Sequence, residues 1–157
     1  MMHFVNRLLA RPEPAITEAR QTDAAALAAL HAAAFQRGWS EDEFVRLLSD
    51  RNVVAHRMTV GPTLIGFVVS RLTAGEAEIL SVAIAPAWRG RGRARPLLDL
   101  HLRRLAGLGA RTVFLEVGEQ NAAACRLYRR AGFYEVGRRQ GYYPGGGAAL
   151  TWRRDLG

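Results

Sequence analysis

Between an aliphatic run, Glu78–Ile84, and a leucine-rich stretch reaching Leu108 lies Arg89-Gly90-Arg91-Gly92-Arg93-Ala94. No other feature restricts the fold of this chain as tightly. A strand that enters a glycine turn and leaves it as a long helix is a building unit of α/β architecture. Two glycines let the backbone turn sharply and come close to a ligand. The amides of the first helical turn lack intrahelical acceptors and sit at the positive end of the helix dipole, so such a turn suits a phosphate or pyrophosphate. Arginines at alternating positions, Arg89, Arg91, Arg93 and Arg95, add charge-assisted donors. The same residues serve equally as a solvated basic cap on a helix. The run is neither a P-loop, lacking Gly-Lys-Ser/Thr, nor a dinucleotide turn, lacking the third glycine and the downstream acid.

Around this unit the apolar pattern predicts further elements. Ala15–Ala19 reads as a short strand, followed by an alanine-rich helix capped by Thr22 or Asp23 and running to about Phe35. Gly38 breaks it. Ser40 and Glu43 have capping-box spacing, and Phe44, Val45, Leu47 and Leu48 give the next helix its apolar face. Val53–Val60 and Leu64–Arg71 read as a hairpin about Gly61-Pro62, and Gly75 turns the chain into Glu78–Ile84. The helix from about Gly92 to Leu108 buries Leu97, Leu98, Leu100 (or His101), Leu102 and Leu105. Thr112–Val117, a helix over Asn121–Ala131, Tyr134–Arg138 and Ala149–Arg153 complete the series. The order β-α-α-β-β-β-α-β-α-β-β predicts an α/β fold: a mixed, mostly antiparallel central sheet flanked by helices, gaining parallel crossovers around the two later helices. Residues 1–14 read as an N-terminal extension and 15–157 as a single domain.

Composition removes several classes. The chain has 157 residues, 49% of them apolar, so it can bury a core. Cys125 is the only cysteine, and His3, His31, His56 and His101 show no ligand spacing, so neither a disulfide framework nor a metal site is expected. No apolar run approaches the roughly 20 residues of a membrane span, and the start lacks signal-peptide organisation, which predicts a cytoplasmic protein. Net charge is +8, and every basic residue apart from histidine is arginine. Residues 1–80 carry 8 arginines and 9 acids (net −1), whereas residues 81–157 carry 14 and 5 (net +9). A nucleic acid, a membrane surface or a phosphorylated cofactor would each suit that charge. No aromatic-interleaved basic stripe or RNA motif accompanies it, so stable nucleic-acid binding is not expected.

The spacing Arg89-x-x-Gly92-x-Ala94 after a strand and before a helix resembles the acetyl-coenzyme A loop of the GNAT superfamily of N-acetyltransferases. Leu80–Pro86 is similar to the strand preceding that loop, and Asn121-Ala122-Ala123-Ala124 through Leu127-Tyr128 to Ala131-Gly132-Phe133 is similar to the second motif. More narrowly, Trp39-Ser40-Glu41, Leu115-Glu116-Val117 and Tyr142-Tyr143-Pro144 resemble the ribosomal-protein-alanine N-acetyltransferases, the RimI type. The match spans about residues 15–154. It implies the GNAT fold, acetyl-CoA as co-substrate without a metal, and an acceptor amine at a protein N-terminus, the alanine of a ribosomal protein. Alternatives within the fold are a lysine side chain or a small-molecule amine; outside it stands a basic ribosome- or RNA-binding module. By the same resemblance Val82 and Ile84 lend backbone groups to the pantetheine arm. Arg91, Gly92, Arg93, Ala94 and Arg95 wrap the pyrophosphate through main-chain amides, and Asn121 touches the cofactor arm. Glu116 is the general base and Tyr128 the general acid. Two residues depart from the pattern: Arg93 stands in an aliphatic position, and Pro96 removes one amide from the first turn.

Elementary chemistry agrees with these roles. An N-terminal amine has a pKa near 7.7–8.0, so at pH 7 only about a tenth is nucleophilic, and a nearby carboxylate that takes its proton assists attack. On Thr112–Val117 alternation places Val113, Leu115 and Val117 on one face, with Phe114 and Glu116 on the other. Beside an aromatic ring Glu116 is expected to be partly desolvated, or else to pair with an arginine. Tyr128 can protonate a departing thiolate or simply pack in the core. Cys125 reads as a small buried hydrophobe. Trp39, Tyr142 and Tyr143 are candidates to line a groove for a peptide terminus, or to plug element ends, and Gly145-Gly146-Gly147 is either a mobile lid or a hairpin connection.

Overall fold

The computed structural model describes residues 13–157, so nearly all of the expected 1–14 extension, including His3, lies outside the described residues. Seven strands form one sheet in the order β1-β2-β3-β4-β5-β7-β6. They are β1 (Ala15–Glu18), β2 (Val53–Val60), β3 (Thr63–Thr73), β4 (Glu76–Ile84), β5 (Thr112–Gly118), β6 (Tyr134–Arg139) and β7 (Ala149–Asp155). Every neighbouring pair is antiparallel except β4 and β5. The four helices are α1 (Ala24–Ala34), α2 (Glu41–Ser49), α3 (Ala94–Gly107) and α4 (Ala122–Arg130).

The expected α/β fold with a mixed, mostly antiparallel sheet is therefore present. Both later helices lie in crossovers, but only β4-α3-β5 joins neighbours. The β5-α4-β6 crossover skips a position, and β7 inserts antiparallel between β5 and β6. The helix expected from about Gly92 starts instead at Ala94, because Gly92 takes a left-handed φ of 70°.

Helices α1 and α2 cover one face, where Leu27, Leu30 and Phe44 pack on Ala55, Phe67, Val69 and Ala83. The Ser40 hydroxyl accepts from the Glu43 amide, and the Glu43 carboxylate accepts from the Ser40 amide, so the capping box fixes the start of α2. Helices α3 and α4 cover the opposite face over Met58, Val68, Ile79, Val113, Leu115 and Val117. On α3 the buried stripe is Leu97, Leu98, His101, Leu102 and Leu105, so the histidine is buried rather than Leu100. A buried imidazole needs partners. His101 has them: Nε2 lies 2.7 Å from the Ser70 hydroxyl, and Nδ1 lies 2.8 Å from Nδ1 of His56. Burial, and next the neighbouring His56, push the pKa of His101 down to about 3.

Irregular register shapes the sheet centre. Val69 faces Ser81 while Ser70 faces Ile79, which leaves Leu80 as an extra residue in β4. Such a bulge bends its strand away from the regular ladder. On its other edge β4 pairs with β5 over only four positions, Glu76↔Thr112 to Ile79↔Leu115. Beyond them β4 continues to Ile84 and β5 to Gly118, so the two strands part and open a wedge. Among the described residues no helix is long and apolar enough to cross a membrane.

Candidate active site

At the far end of β4 the chain passes a short 3-10 turn, Pro86–Trp88, into the glycine loop. Gly90 and Gly92 have φ of 75° and 70°, a backbone region that other residues enter at a cost of about 1–2 kcal/mol. Helix α3 then begins without any side-chain cap and with no acidic residue in its first turn. Its leading amides therefore lack a partner from the chain, Pro96 having none to offer. Among the four arginines the structure separates two roles. Arg91 and Arg93 lie over the Trp88 ring, at 5.4 and 5.7 Å, and the buried Nε of Arg93 has no hydrogen-bond partner. Arg89 donates instead to the Ile84 carbonyl, and Arg95 pairs through Nε with both oxygens of Asp99 one turn along α3. Nε of Arg89 and of Arg95 is thus engaged locally, whereas Arg91 and Arg93 have no acceptor among the described residues.

An uncapped helix start, two left-handed glycines and an orphaned guanidinium nitrogen form a donor set suited to a pyrophosphate. Such a donor set fits the phosphates of acetyl-CoA, and beyond Ile79 the edge of β4 is left unpaired by β5. Asn121 is on the second crossover, where its side-chain oxygen accepts from the Ala124 amide and caps α4, so its NH2 group is what remains for an arm in the wedge.

The end of β5 brings the chemistry together. As the alternation predicts, Val113, Leu115 and Val117 are buried, while Glu116 points to the opposite face. Glu116 is exposed and lines an open cleft of about 430 Å³ with Trp39, Leu47, Arg71, Glu78, Ile79 and Leu80. Phe114, two residues back on the same face, lies under the Arg153 guanidinium, 5.7 Å away. Glu116 is not among the ion pairs of the described residues. Tyr143 packs over Gly118, where a Cβ would meet its ring at 3.4 Å. Its hydroxyl is held above the ordinary tyrosine pKa, first by partial burial and then by the Glu116 charge. Tyr142 stands edge-on to it at 5.0 Å. Both tyrosines are exposed. The glycine segment after them is a hydrogen-bonded turn, with the Tyr143 amide donating to Gly147 and the Gly146 amide to Tyr143.

Tyr128 belongs to the core cluster on the α3 and α4 side. It is buried on the α4 side, edge-on to Phe133 at 5.8 Å. Burial, with a smaller contribution from Cys125, pushes its phenol up to about 12. Cys125 is buried with Sγ 3.8 Å from the Gly118 carbonyl, as expected of a small hydrophobe. Glu116 is thus exposed on the face covered by α1 and α2, and Tyr128 is buried in the core on the face covered by α3 and α4. No group of metal-ligating side chains occurs among the described residues.

The sequence reading missed several residues. Trp88, stacked under Arg91 and Arg93, had a usable signal as an aromatic next to the arginine run. Arg71, Glu78 and Leu80 had none, since only strand register brings them beside Glu116.

Comparison with known proteins agrees with this geometry. The acetyltransferase (GNAT) family pattern matches residues 24–133. The [ribosomal protein bS18]-alanine N-acetyltransferase of Escherichia coli K12 is 32% identical over 106 residues, covering 68% of this chain and 71% of its own. The N-alpha-acetyltransferase RimI of Mycobacterium tuberculosis is 43% identical over 102 residues, 62% of this chain and 63% of its own. A crystal structure of the E. coli ribosomal-protein-S18-alanine N-acetyltransferase superposes with a TM-score of 0.85 at 27% identity, over 91% of this chain and 94% of that one.

Proposed function

The chain belongs to the GNAT family of acetyltransferases, and on that premise we propose that it acetylates the N-terminal α-amine of a protein, an alanine-initiated ribosomal protein being the acceptor. It is an acetyl-CoA-dependent N-acetyltransferase. The observation that carries the acceptor assignment is the wedge between β4 and β5, with an uncapped, arginine-rich helix start at one end and an aromatic, acidic cleft open to solvent at the other. The names of two relatives, one acting on the alanine of bS18 and one on N-terminal amines, support the same acceptor.

Acetyl-CoA supplies the thioester. The loop Arg91–Arg95 and the backbone edge of β4 at Val82 and Ile84 hold it so that its acyl end reaches the mouth of the wedge. Trp39 and Tyr143 clasp the first residues of the acceptor from either side of the cleft, and Tyr142 extends that wall. Glu116, exposed at the cleft, takes the proton of the entering ammonium directly or through one water and passes it to solvent. At pH 7 about nine in ten such termini carry that proton, so its removal is a condition of attack. Tyr128 stays protonated over the whole working range and donates toward the sulfur side. With its pKa at about 12 it is a weak acid, but the same burial also raises the pKa of a thiol leaving into that space. Placing both reactants in one wedge supplies the largest share of the acceleration.

Mass spectrometry of a peptide panel incubated with acetyl-CoA tests the assignment. The expected product is a single acetyl group on the α-amine of alanine-initiated peptides. Preferential modification of lysine side chains, polyamines or aminoglycosides would overturn it.

A further inference from the structure

The loop that carries Trp39 into the acceptor cleft is held by two consecutive amides. The Ser40 N–H donates to the Glu43 carboxylate at 2.7 Å, and the Trp39 N–H donates to Nδ1 of His31 at 3.0 Å. Both rings of the second pair are fixed. The imidazole of His31 stacks on Trp39 at 4.6 Å and 17°, and on Phe35 at 4.3 Å and 30°. Phe44 of α2 stands edge-on to it at 5.8 Å, and Phe67 of β3 stacks at 6.0 Å. Gly38 lets the loop come this close, since a Cβ there would lie 3.1 Å from the Ala32 backbone.

From this geometry we infer that His31 is a positioning residue for the acceptor site, holding Trp39 in place only while its imidazole is neutral. The inference rests on the reading of the Trp39 cleft as the acceptor site. A ring nitrogen accepts a hydrogen bond only without a proton of its own. Protonation of His31 therefore removes the acceptor of the Trp39 amide and sets two N–H groups face to face. The groups packed around the ring from α1, α2 and β3 are aromatic. The charged group that acts on it is Glu43 of α2, whose field favours the proton but is outweighed by burial, so His31 titrates below its ordinary value. Acid thus loosens the acceptor wall and leaves the acetyl-CoA loop untouched. This gives the enzyme a pH dependence in acceptor KM separate from the protonation of the acceptor amine.

Two variants and two readouts test this. His31→Leu removes the acceptor nitrogen at every pH. His31→Asn places an amide oxygen close to where Nδ1 lies and does not titrate. Steady-state transfer to a synthetic alanine-initiated peptide is measured from about pH 5.5 to 8, with calorimetry of acetyl-CoA binding as the control. Loss of one net hydrogen bond should raise the peptide KM of His31→Leu about five-fold, with coenzyme affinity kept. His31→Asn should recover most of that loss and lack the additional rise in peptide KM that the native enzyme shows toward acid. The amine's own titration cancels in the ratio of the two. Tryptophan emission, read without any acceptor, should titrate below pH 6.5 in the native protein through quenching by the stacked imidazolium, and not in His31→Asn. Equal peptide KM for His31→Leu and the native enzyme, in a folded variant that binds acetyl-CoA, overturns this inference alone. Failure to acetylate any peptide, with coenzyme binding intact, removes the acceptor reading and this inference with it.

Discussion

Replacing His101 by leucine should flatten the acid dependence of stability, and the size of that change follows from one buried contact set. His101 is fully enclosed between α3, β2 and β3, and its two ring nitrogens meet Ser70 and His56. Two imidazole nitrogens 2.8 Å apart require one N–H and one lone pair, so the pair is stable only when at least one ring is neutral. In the unfolded chain His101 titrates near 6.5, and in the fold near 3. Because the folded value is depressed, the stabilisation is complete above pH 6.5 and is lost as pH falls from there toward 3. Between pH 7 and pH 5 the unfolded state takes up this proton and the native state does not, which removes about 2 kcal/mol of stability. Urea unfolding of the native protein and of His101→Leu at those two pH values measures it. The variant starts lower, since Ser70 and His56 lose a partner, but its decline toward pH 5 should be smaller by about 2 kcal/mol. Equal declines in the two proteins would refute the argument, whatever their absolute stabilities.

Further outcomes follow from the site. Glu116→Gln and Tyr128→Phe should each lower kcat about a hundred-fold or more with acetyl-CoA affinity by calorimetry unchanged, and native rates from both would remove their assigned roles. Gly92→Ala meets no neighbouring atom, so its penalty is the strain of a φ of 70°, and acetyl-CoA should bind about ten-fold more weakly. Gly66→Ala places a Cβ 2.7 Å from the Ile84 side chain and 3.2 Å from the Ala83 carbonyl, and should reduce unfolding free energy in urea by about 1–3 kcal/mol.

Local chemistry was readable in the sequence wherever short-range physics decides the outcome. The Ser40–Glu43 capping box, the alternation that sends Glu116 away from Val113, Leu115 and Val117, and the buried stripe of α3 all depend on neighbours within a few positions. Contacts between distant strands were not readable. Nothing near Leu80 announces the bulge, because it exists only against Val69 and Ser70. His56 and His101 look scattered 45 residues apart and meet only when α3 lies on β2. The arginine loop shows both regimes: its glycines behave as their type requires and Arg95 pairs with Asp99 at the i,i+4 spacing of a helix, yet Arg89 turns to a backbone carbonyl that only the folded chain presents.

The short β4–β5 ladder also sets how the molecule holds together. The sheet consists of two blocks, β1 to β4 and β5-β7-β6, each fully laddered within itself and stitched to the other by four residue pairs. Within the first block β2, β3 and β4 form a plain meander of neighbours in sequence, the kind of topology that forms quickly, whereas the seam waits for α3 to cross over. A coenzyme lying in the wedge extends that seam as a further strand would. Saturating acetyl-CoA should therefore slow amide exchange along β4 and β5 more than at the outer strands, because the substrate doubles as a fastener of the sheet it reacts in.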